Sequence, residues 1–204
     1  TEIEGLQRMS VRLDQSLITA VEILQETLRN RGKIVVVGVG KSGNIGHKIA
    51  ATLNSTGATA VVLDSQNALH GDLGLLSDGD AVMLLSYSGE TRELMDLLPF
   101  IKRFDVKLIA LTGNPGSTLS RFSEVTLDTS VEREACPLNL APTSSSTAML
   151  VMGDTLAMVL LESRGRGLEF VAQQRDVGLE LLTQQREVGL ELLLLQRELG
   201  LHFL

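Results

Sequence analysis

Short blocks of apolar residues alternate along the chain with longer blocks in which apolar residues recur at helical spacing. Each short block is mostly β-branched or aliphatic and is followed by a loop of small or polar residues. Continuous apolar runs of this length are typical of strands buried on both faces of a parallel sheet. The pattern therefore predicts an α/β fold, a three-layer αβα sandwich around a five-stranded parallel sheet. The predicted strands are 33–37, 60–63, 81–85, 107–111 and 125–127.

Helices are predicted around these strands from apolar positions that repeat about every 3.6 residues. Residues 3–30 are predicted to form one or two amphipathic helices, and a strongly apolar helix over 147–163 closes the core. Segment 65–77 is predicted to be mostly loop, and 131–147 a long irregular stretch. The other predicted helices are 41–55, one that follows Thr91 and ends near Phe104, and 117–122.

The last part of the chain differs from the rest because it repeats. Residues 169–179, 180–190 and 191–201 are near-copies of one eleven-residue unit rich in Leu and Val. Such a repeat corresponds to about 3.67 residues per turn and predicts a helix. So apolar a helix should pack on another helix, including one from another subunit, although a glycine in each unit could divide it into shorter helices. We expect residues 1–165 to form one domain and 166–204 a helical tail used in oligomer assembly.

Composition limits the partners that this chain can have. The formal net charge is −7 and Lys and Arg do not cluster, which argues against nucleic acid. A single cysteine, Cys136, excludes an internal disulfide framework and is typical of a reducing cytosol. The N-terminus shows no signal pattern and no apolar run reaches 18 residues, so we expect a soluble, cytoplasmic protein with no membrane partner.

The first candidate for chemistry is the glycine-rich loop after the first strand, Gly38-Val-Gly-Lys-Ser-Gly43. A tight loop between strand and helix points backbone N–H groups and the helix dipole at an anion, so a phosphorylated ligand is expected. The loop formally matches the dinucleotide fingerprint, with Asp64 where a ribose-binding acid would sit. Lys41 and Ser42 at the variable positions nevertheless suit a small phosphate or a sugar better. A Walker A loop is excluded because residue 35 is Val.

Two further loops at the same predicted edge of the sheet are rich in Gly, Ser and Thr. Ser86-Tyr-Ser-Gly-Glu-Thr91 follows the third strand, and 112–118 follows the fourth. The hydroxyls of Ser86, Ser88 and Thr91 beside a helix start would form a neutral cage for a phosphate dianion. The alternative is ordinary N-capping by Ser88. Because ligands of parallel sheets bind beyond the carboxyl ends of the strands, the agreement of three loops favours a phosphate site.

Single acidic and basic residues are ambiguous when they are taken alone. Glu134 lies in a loop, where a carboxylate is usually just solvated. His70 stands near Asp72 in a Gly-rich loop, where a functional and a surface role are both open, whereas His47 is predicted to lie on a helix surface. Histidines scattered without acids or cysteines at ligand spacing predict no metal site.

Six ordered motifs connect the chain to a known family. They are Gly38-Val-Gly-Lys-Ser-Gly43, Ala51-Thr-Leu-Asn-Ser-Thr-Gly57, His70-Gly-Asp-Leu-Gly74, Ser86-Tyr-Ser-Gly-Glu90, Glu134-Ala-Cys-Pro137 and Leu140-Ala-Pro-Thr-Ser-Ser145. Together they closely resemble the sugar isomerase (SIS) domain of arabinose 5-phosphate isomerases, over about residues 1–165. The last two motifs separate this family from other SIS proteins.

The resemblance implies a flavodoxin-like sheet and a metal-independent interconversion of ribulose 5-phosphate and arabinose 5-phosphate that needs no cofactor. It also implies a role in the synthesis of keto-deoxyoctulosonate for the lipopolysaccharide or capsule of Gram-negative bacteria. Members of the family are similar to one another in forming homotetramers.

Motif by motif, the resemblance implies that Lys41, His70, Glu93 and Glu134 are catalytic. Such an isomerisation needs a base that moves one proton through an enediolate and groups that stabilise the oxyanion. Glu134 and Glu93 are both candidates for the base, and Lys41 and His70 for oxyanion stabilisation and substrate orientation. The implied substrate- and phosphate-binding residues are Gly40, Ser42, Ser86, Ser88, Thr91 and Ser144.

The chain departs from the family pattern in two places. A His-Pro-Gly-Gly segment, whose histidine reaches an active site, often in a neighbouring subunit, is replaced by Arg164-Gly-Arg-Gly167 and the repeat. The catalytic histidine is then absent, replaced by His202 or supplied by His70. The tandem CBS domains that commonly follow are also missing, so regulation through them is not expected. The alternative function is a sugar-phosphate-binding module that senses its ligand without converting it.

Overall fold

Five parallel strands form one sheet at the centre of the protein. The computed structural model describes residues 1–68 and 70–164. The strands are β1 (Ile34–Gly38), β2 (Ala60–Asp64), β3 (Ala81–Leu85), β4 (Lys107–Thr112) and β5 (Val125–Asp128). Their order across the sheet is β2-β1-β3-β4-β5, and all four neighbouring pairs are parallel. This is the flavodoxin-like order, which confirms the predicted α/β class and the five-stranded parallel sheet.

Helices cover both faces of the sheet and complete the three layers. In the described part of the chain they are α1 (Glu2–Ser10), α2 (Gln15–Arg29), α3 (Lys41–Ser55), α4 (Ser65–Ala68), α5 (Arg92–Ile101), α6 (Thr118–Phe122) and α7 (Ser144–Ser163). Buried residues of α1, α2, α3 and α7 belong to one core cluster. Those of α4, α5 and α6 belong to a second cluster. The predicted N-terminal helical segment is thus two helices.

Alternate side chains of each strand point to opposite faces and separate the two cores. Ile34 and Val36 of β1 join the cluster beneath α2, α3 and α7, whereas Val35 and Val37 join the cluster beneath α5. All four side chains are fully buried. Burial of such a side chain contributes about 1.5–3 kcal/mol, so the strand ends that carry the candidate loops are firmly anchored.

Helix α7 begins at Ser144 rather than at residue 147, so the predicted irregular stretch is shorter than expected. By length and composition alone α7 could cross a membrane, yet half of its most apolar window is buried in the fold, which is the pattern of a core helix. It packs closely on α3, because a Cβ on Gly153 would collide with the side chain of Ile49.

The segment 65–77 contains two short helices where the sequence predicts mostly loop, so that prediction is wrong. Helix α4 follows β2 directly, and a 3-10 helix spans Asp72–Leu75. Helix α4 forms because Oδ1 of Asp64 accepts hydrogen bonds from the backbone N–H groups of Gln66 at 2.7 Å and Asn67 at 3.2 Å. Helix α5 ends at Ile101 rather than near Phe104. The predicted tail, 166–204, lies outside the described residues.

Candidate active site

The edge of the sheet where the strands end holds a topological switch point. The chain passes from β1 to β2 on one side, whereas β3 lies on the other side of β1. Gly38, the last residue of β1, is level with Leu85, the last residue of β3. Loops 38–41 and 86–91 therefore begin side by side. Since ligands of open parallel sheets bind in the crevice at this point, two of the loops predicted from the sequence flank one candidate site.

The loop after β1 is built from backbone that approaches too closely for side chains. A Cβ on Gly38 would lie 2.8 Å from the carbonyl carbon and oxygen of Ser42. Gly40, the N-cap of α3, has a φ of 56°, and no side chain caps this helix. Lys41 is exposed at the start of α3, and Ser42 is half-buried. The backbone N–H groups of Ser42 and Gly43 donate to the carbonyl of Val39. The positive end of the α3 dipole and the exposed lysine are therefore what suit this end of α3 to an anion or a developing oxyanion.

The loop after β3 is braced internally by hydroxyl groups. Ser86 is buried, and its Oγ lies 2.7 Å from Oγ1 of Thr91 and accepts a hydrogen bond from the backbone N–H of Gly89 at 3.0 Å. Gly89 has a φ of 65°, and a Cβ there would collide with the side chain of Ser117. Only glycine fits this position, and Ser86 holds the turn around it.

Helix α5 also begins without a side-chain cap. Thr91 occupies its N-cap position, but the Thr91 side chain makes no capping hydrogen bond to the helix. Ser88 is exposed, and its Oγ accepts a hydrogen bond from the N–H of Glu90 at 3.2 Å, so Ser88 shapes the loop and does not cap α5. Because α3 and α5 follow neighbouring strands, the positive ends of two helix dipoles meet at one crevice.

Tyr87 joins three of the loops at this edge of the sheet, and the sequence gives little sign of it. Its hydroxyl donates to the backbone carbonyl of Val131 and accepts from the Val131 N–H, both at 3.2 Å. Its ring fills the space over Gly113, where a Cβ would collide with it. The tyrosine thus fixes the loop after β3 against those after β4 and β5.

A carboxylate also ties the loop after β3 to helix α6. Oε1 of Glu90 accepts a hydrogen bond from the backbone N–H of Thr118 at 2.7 Å. The backbone N–H and then the hydroxyl of Thr118 hold the pKa of Glu90 below its ordinary value. Glu90 is therefore ionised and engaged with the first turn of α6.

Glu134 is held at the N-terminus of α7 by four hydrogen bonds. Its Oε2 accepts from the N–H of Thr143 at 2.8 Å, from the hydroxyl of Thr143 at 3.1 Å and from the N–H of Ser145 at 3.2 Å. Its Oε1 accepts from the hydroxyl of Ser145. Burial raises the pKa of Glu134, but the hydrogen bonds from Ser145 and Thr143 outweigh it and keep the pKa below the ordinary value. The half-buried side chain is therefore a carboxylate at neutral pH.

The loop that carries Glu134 is shaped by its own backbone. The N–H of Glu134 donates to Oδ1 of Asn139 at 2.6 Å, and Asn139 itself adopts a φ of 54°. Cys136, half-buried in the same loop, has its pKa lowered chiefly by the backbone N–H of Ala141 and next by that of Leu140. Hydrogen bonds within the loop therefore fix its backbone, and Glu134 lies at the end of α7.

Helices α3 and α7 run side by side in the same direction, so their N-termini lie at the same end of the fold. Nζ of Lys48 lies 2.6 Å from the carboxylate of Asp154, and at the far end Arg164 donates to the carbonyl of Gly57 at 2.7 Å. Counted back from this ion pair, both helices begin about 10–15 Å further along the shared axis, at a rise of about 1.5 Å per residue. The N-terminus of α7, and with it Glu134, therefore lies at the same end as Lys41.

For the other predicted site residues, the structure shows the position in the fold but no contact with Glu134 among the described residues. His70 is exposed in the turn after α4, and Glu93 is exposed in the first turn of α5. The hydroxyl of Ser144 is buried with no hydrogen-bond partner in the described part of the chain, whereas that of Ser145 meets Glu134. A direct contact of Ser144 with substrate stays a prediction. Within residues 1–68 and 70–164, no group of three or more His, Cys, Asp and Glu could hold a metal ion.

Comparison with known proteins identifies the family to which this fold belongs. The SIS domain family matches residues 27–159. The chain belongs to the SIS domain family. It is 50% identical, over 164 residues, to the arabinose 5-phosphate isomerase KdsD of Pseudomonas aeruginosa, and the match covers 80% of this chain and 49% of that protein. The chain thus spans about half the length of the curated relatives that it matches.

Solved structures of SIS proteins share the fold over most of their length. A putative phosphosugar isomerase involved in capsule formation from Bacteroides fragilis has a TM-score of 0.78 and 35% identity, covering 84% of this chain and 92% of its own. The Escherichia coli CFT073 protein c3406, solved in complex with arabinose 5-phosphate, has a TM-score of 0.80 and 34% identity, covering 85% of this chain and 91% of its own. The resemblance read from the six motifs is confirmed.

Proposed function

We propose that this SIS protein is an aldose–ketose isomerase that interconverts D-ribulose 5-phosphate and D-arabinose 5-phosphate through an enediolate. The observation that supports the proposal is the ionised Glu134, held at the N-terminus of α7, at the same end of the parallel helices α3 and α7 as Lys41. A positioned carboxylate is the group that proton transfer at a sugar carbon needs. The choice of pentose phosphate is supported by the KdsD relative at 50% identity.

In this proposal one carboxylate moves a single proton between two carbons. Starting from the aldose, Glu134 takes the proton from C2, and the C1 carbonyl becomes an enediolate oxygen. The carbon proton then returns to C1 while the hydroxyl proton of O2 passes to O1, which leaves the carbonyl at C2 of the ketose. Lys41 and His70 stabilise the oxyanion and orient the sugar, in a reaction that needs no metal or cofactor. Glu93, in the first turn of α5, remains the second candidate for the base.

The phosphate group binds at the other wall of the crevice. The uncapped first turn of α5 supplies backbone N–H groups, and the exposed Ser88 and the hydroxyl of Thr91 supply donors. Gly40 and Ser42 line the wall formed by the loop after β1. Ser86, buried and bonded to Thr91, supports the loop from beneath.

The remaining parts of the proposal concern the cellular setting. The protein works in the cytoplasm as a homo-oligomer, a tetramer, with a small sugar phosphate as its ligand and without nucleic acid or membrane partners. Its product feeds the synthesis of keto-deoxyoctulosonate for lipopolysaccharide or capsule. The net charge of −7 supports the absence of nucleic acid.

The test is a coupled assay of ribulose 5-phosphate turnover in the presence of a chelator, with hexose phosphates and other pentose phosphates for comparison. We expect turnover of ribulose 5-phosphate, and a loss of about 10²–10⁴-fold in kcat for Glu134→Gln, because a general base typically contributes that much. Glu132→Gln is the matched control, since Glu132 is exposed and pairs with Arg8. Tight binding of ribulose 5-phosphate by calorimetry without any turnover would favour the sensing module instead.

A further inference from the structure

The two oxygens of the Glu134 carboxylate are held unequally. Oε2 accepts three hydrogen bonds, from the Thr143 N–H, the Thr143 hydroxyl and the Ser145 N–H. Oε1 accepts one, from the Ser145 hydroxyl. An ionised carboxylate offers about two lone-pair sites on each oxygen. Among the described residues, Oε2 is therefore saturated by the end of α7, and the free acceptor site lies on Oε1.

Ser145 is the residue that holds both oxygens at once. Its backbone N–H reaches Oε2 and its hydroxyl reaches Oε1, so the plane of the carboxylate is fixed by one residue of the first turn of α7. Ser145 is 2% exposed, which limits the rotamers that its hydroxyl can adopt. Thr143 bonds only Oε2, and its hydroxyl also accepts the N–H of Ala135 at 2.8 Å.

We propose that Ser145 is a positioning residue for the isomerisation, aiming Oε1 of Glu134 as the atom that takes up and returns the substrate proton. The inference rests on the proposed function and adds to it the proton-accepting atom and the group that orients it. A carboxylate whose Oε2 is fully occupied and whose Oε1 keeps one lone pair beside the Ser145 hydroxyl presents that lone pair in one direction, which is the alignment that proton transfer at carbon needs.

The groups that donate hydrogen bonds to the Glu134 carboxylate are neutral. Removing one of them should therefore change the pKa of Glu134, which a titration can measure. Among the charged side chains on neighbouring elements, Arg8 of α1 pairs with Glu132 and Lys48 of α3 pairs with Asp154. Glu2 of α1 accepts a hydrogen bond from the hydroxyl of Thr147 of α7 at 3.3 Å. Lys41 begins the adjacent helix α3. Loss of the Ser145 hydroxyl removes a stabiliser of the charged form, so the pKa of Glu134 rises toward its ordinary value.

The experiment compares Ser145→Ala with Ser146→Ala, which is next in the same helix turn and makes none of the hydrogen bonds to Glu134. Titration of the Glu134 side-chain carbon by ¹³C NMR reports the pKa directly, without turnover. In Ser145→Ala we expect the pKa to rise, kcat to fall by about 10–100-fold with KM changed less than about twofold, and the acid limb of the kcat profile to move to higher pH. Ser146→Ala should match the wild type in all of these.

A double-mutant cycle with Glu134→Gln separates positioning from general damage, because a residue that acts through Glu134 adds no further loss once the carboxylate is gone. Ser145→Cys, which keeps the size and replaces the hydroxyl by a weak donor, gives the same comparison if Ser145→Ala does not fold. Wild-type turnover with kcat unchanged or raised in the Ser145 variants would overturn the positioning role alone. A wild type that converts no pentose phosphate would overturn the proposed function, whatever the titration shows.

Discussion

At the scale of the residue, Glu134 links the candidate chemistry to the stability of the fold. Its pKa in the folded protein is below 4.5, the ordinary value of a glutamate, because Ser145 and Thr143 stabilise the charged form. A group with a lowered pKa contributes stability that is fully present above the unfolded pKa and is lost as the pH falls through the folded pKa. The free energy of unfolding should therefore decrease below about pH 4.5 more steeply in the wild type than in Glu134→Gln.

Urea denaturation at a series of pH values measures this difference directly. At neutral pH we expect Glu134→Gln to lower the free energy of unfolding by about 1–3 kcal/mol, since the amide cannot accept all the donors that met the carboxylate. Glu132→Gln changes an exposed carboxylate that takes no part in the helix-end contacts, so its pH profile should follow that of the wild type. If the free energy of unfolding is the same for Glu134→Gln and the wild type at every pH, the hydrogen bonds to Glu134 contribute nothing to stability.

At the scale of the element, the close approach of α3 and α7 fixes the helix end that holds Glu134 relative to the N-terminus of α3. A Cβ on Gly153 would collide with Ile49, which is fully buried and has little room to move. Gly153→Ala should therefore lower stability by about 1–3 kcal/mol despite the better helix propensity of alanine. Thermal or urea denaturation measures the change, and kcat should fall with it because the helix ends shift.

The matched comparison for this change is Gly74→Ala, since Gly74 has open space where its Cβ would be. Combining Gly153→Ala with Ile49→Ala should recover part of the lost stability by making room at the contact, although Ile49→Ala alone leaves a cavity. Strictly additive losses in the double variant would argue that the contact does not carry the effect.

Helix α7 also shows how far the sequence predicts such elements. Its apolar positions predicted a helix, but its first turn is polar, and the group that satisfies that turn is a carboxylate from the preceding loop. The glycine and hydroxyl loops were predictable because their pattern is local. The hydrogen bonds between the Tyr87 hydroxyl and the backbone of Val131 were not predictable, because they join residues 44 apart in the chain. The sequence also does not show which of two neighbouring serines contacts Glu134. The structure shows that it is Ser145, whereas the hydroxyl of Ser144 is buried.

At the scale of the whole molecule, apolar side chains remain exposed on the outer side of the N-terminal helices. Ile3, Val11 and Ile18 are 74%, 83% and 51% exposed, within a short part of the chain. Single exposed apolar residues are normal, but several in one region are typical of an association surface. This observation supports the proposal of a homo-oligomer that assembles through α1 and α2.

Sedimentation velocity of the full chain and three variants tests the assembly. We expect the full chain to sediment as a tetramer, and both a deletion of 166–204 and Ile18→Glu to shift it to smaller species, because each removes apolar surface from a contact. Phe122→Glu is the control, since Phe122 is 48% exposed on α6, on the opposite face of the sheet. Its mass should stay that of the full chain. A truncated protein that keeps the same mass would show that the tail is not an assembly element, and an unchanged Ile18→Glu would remove α2 from the interface.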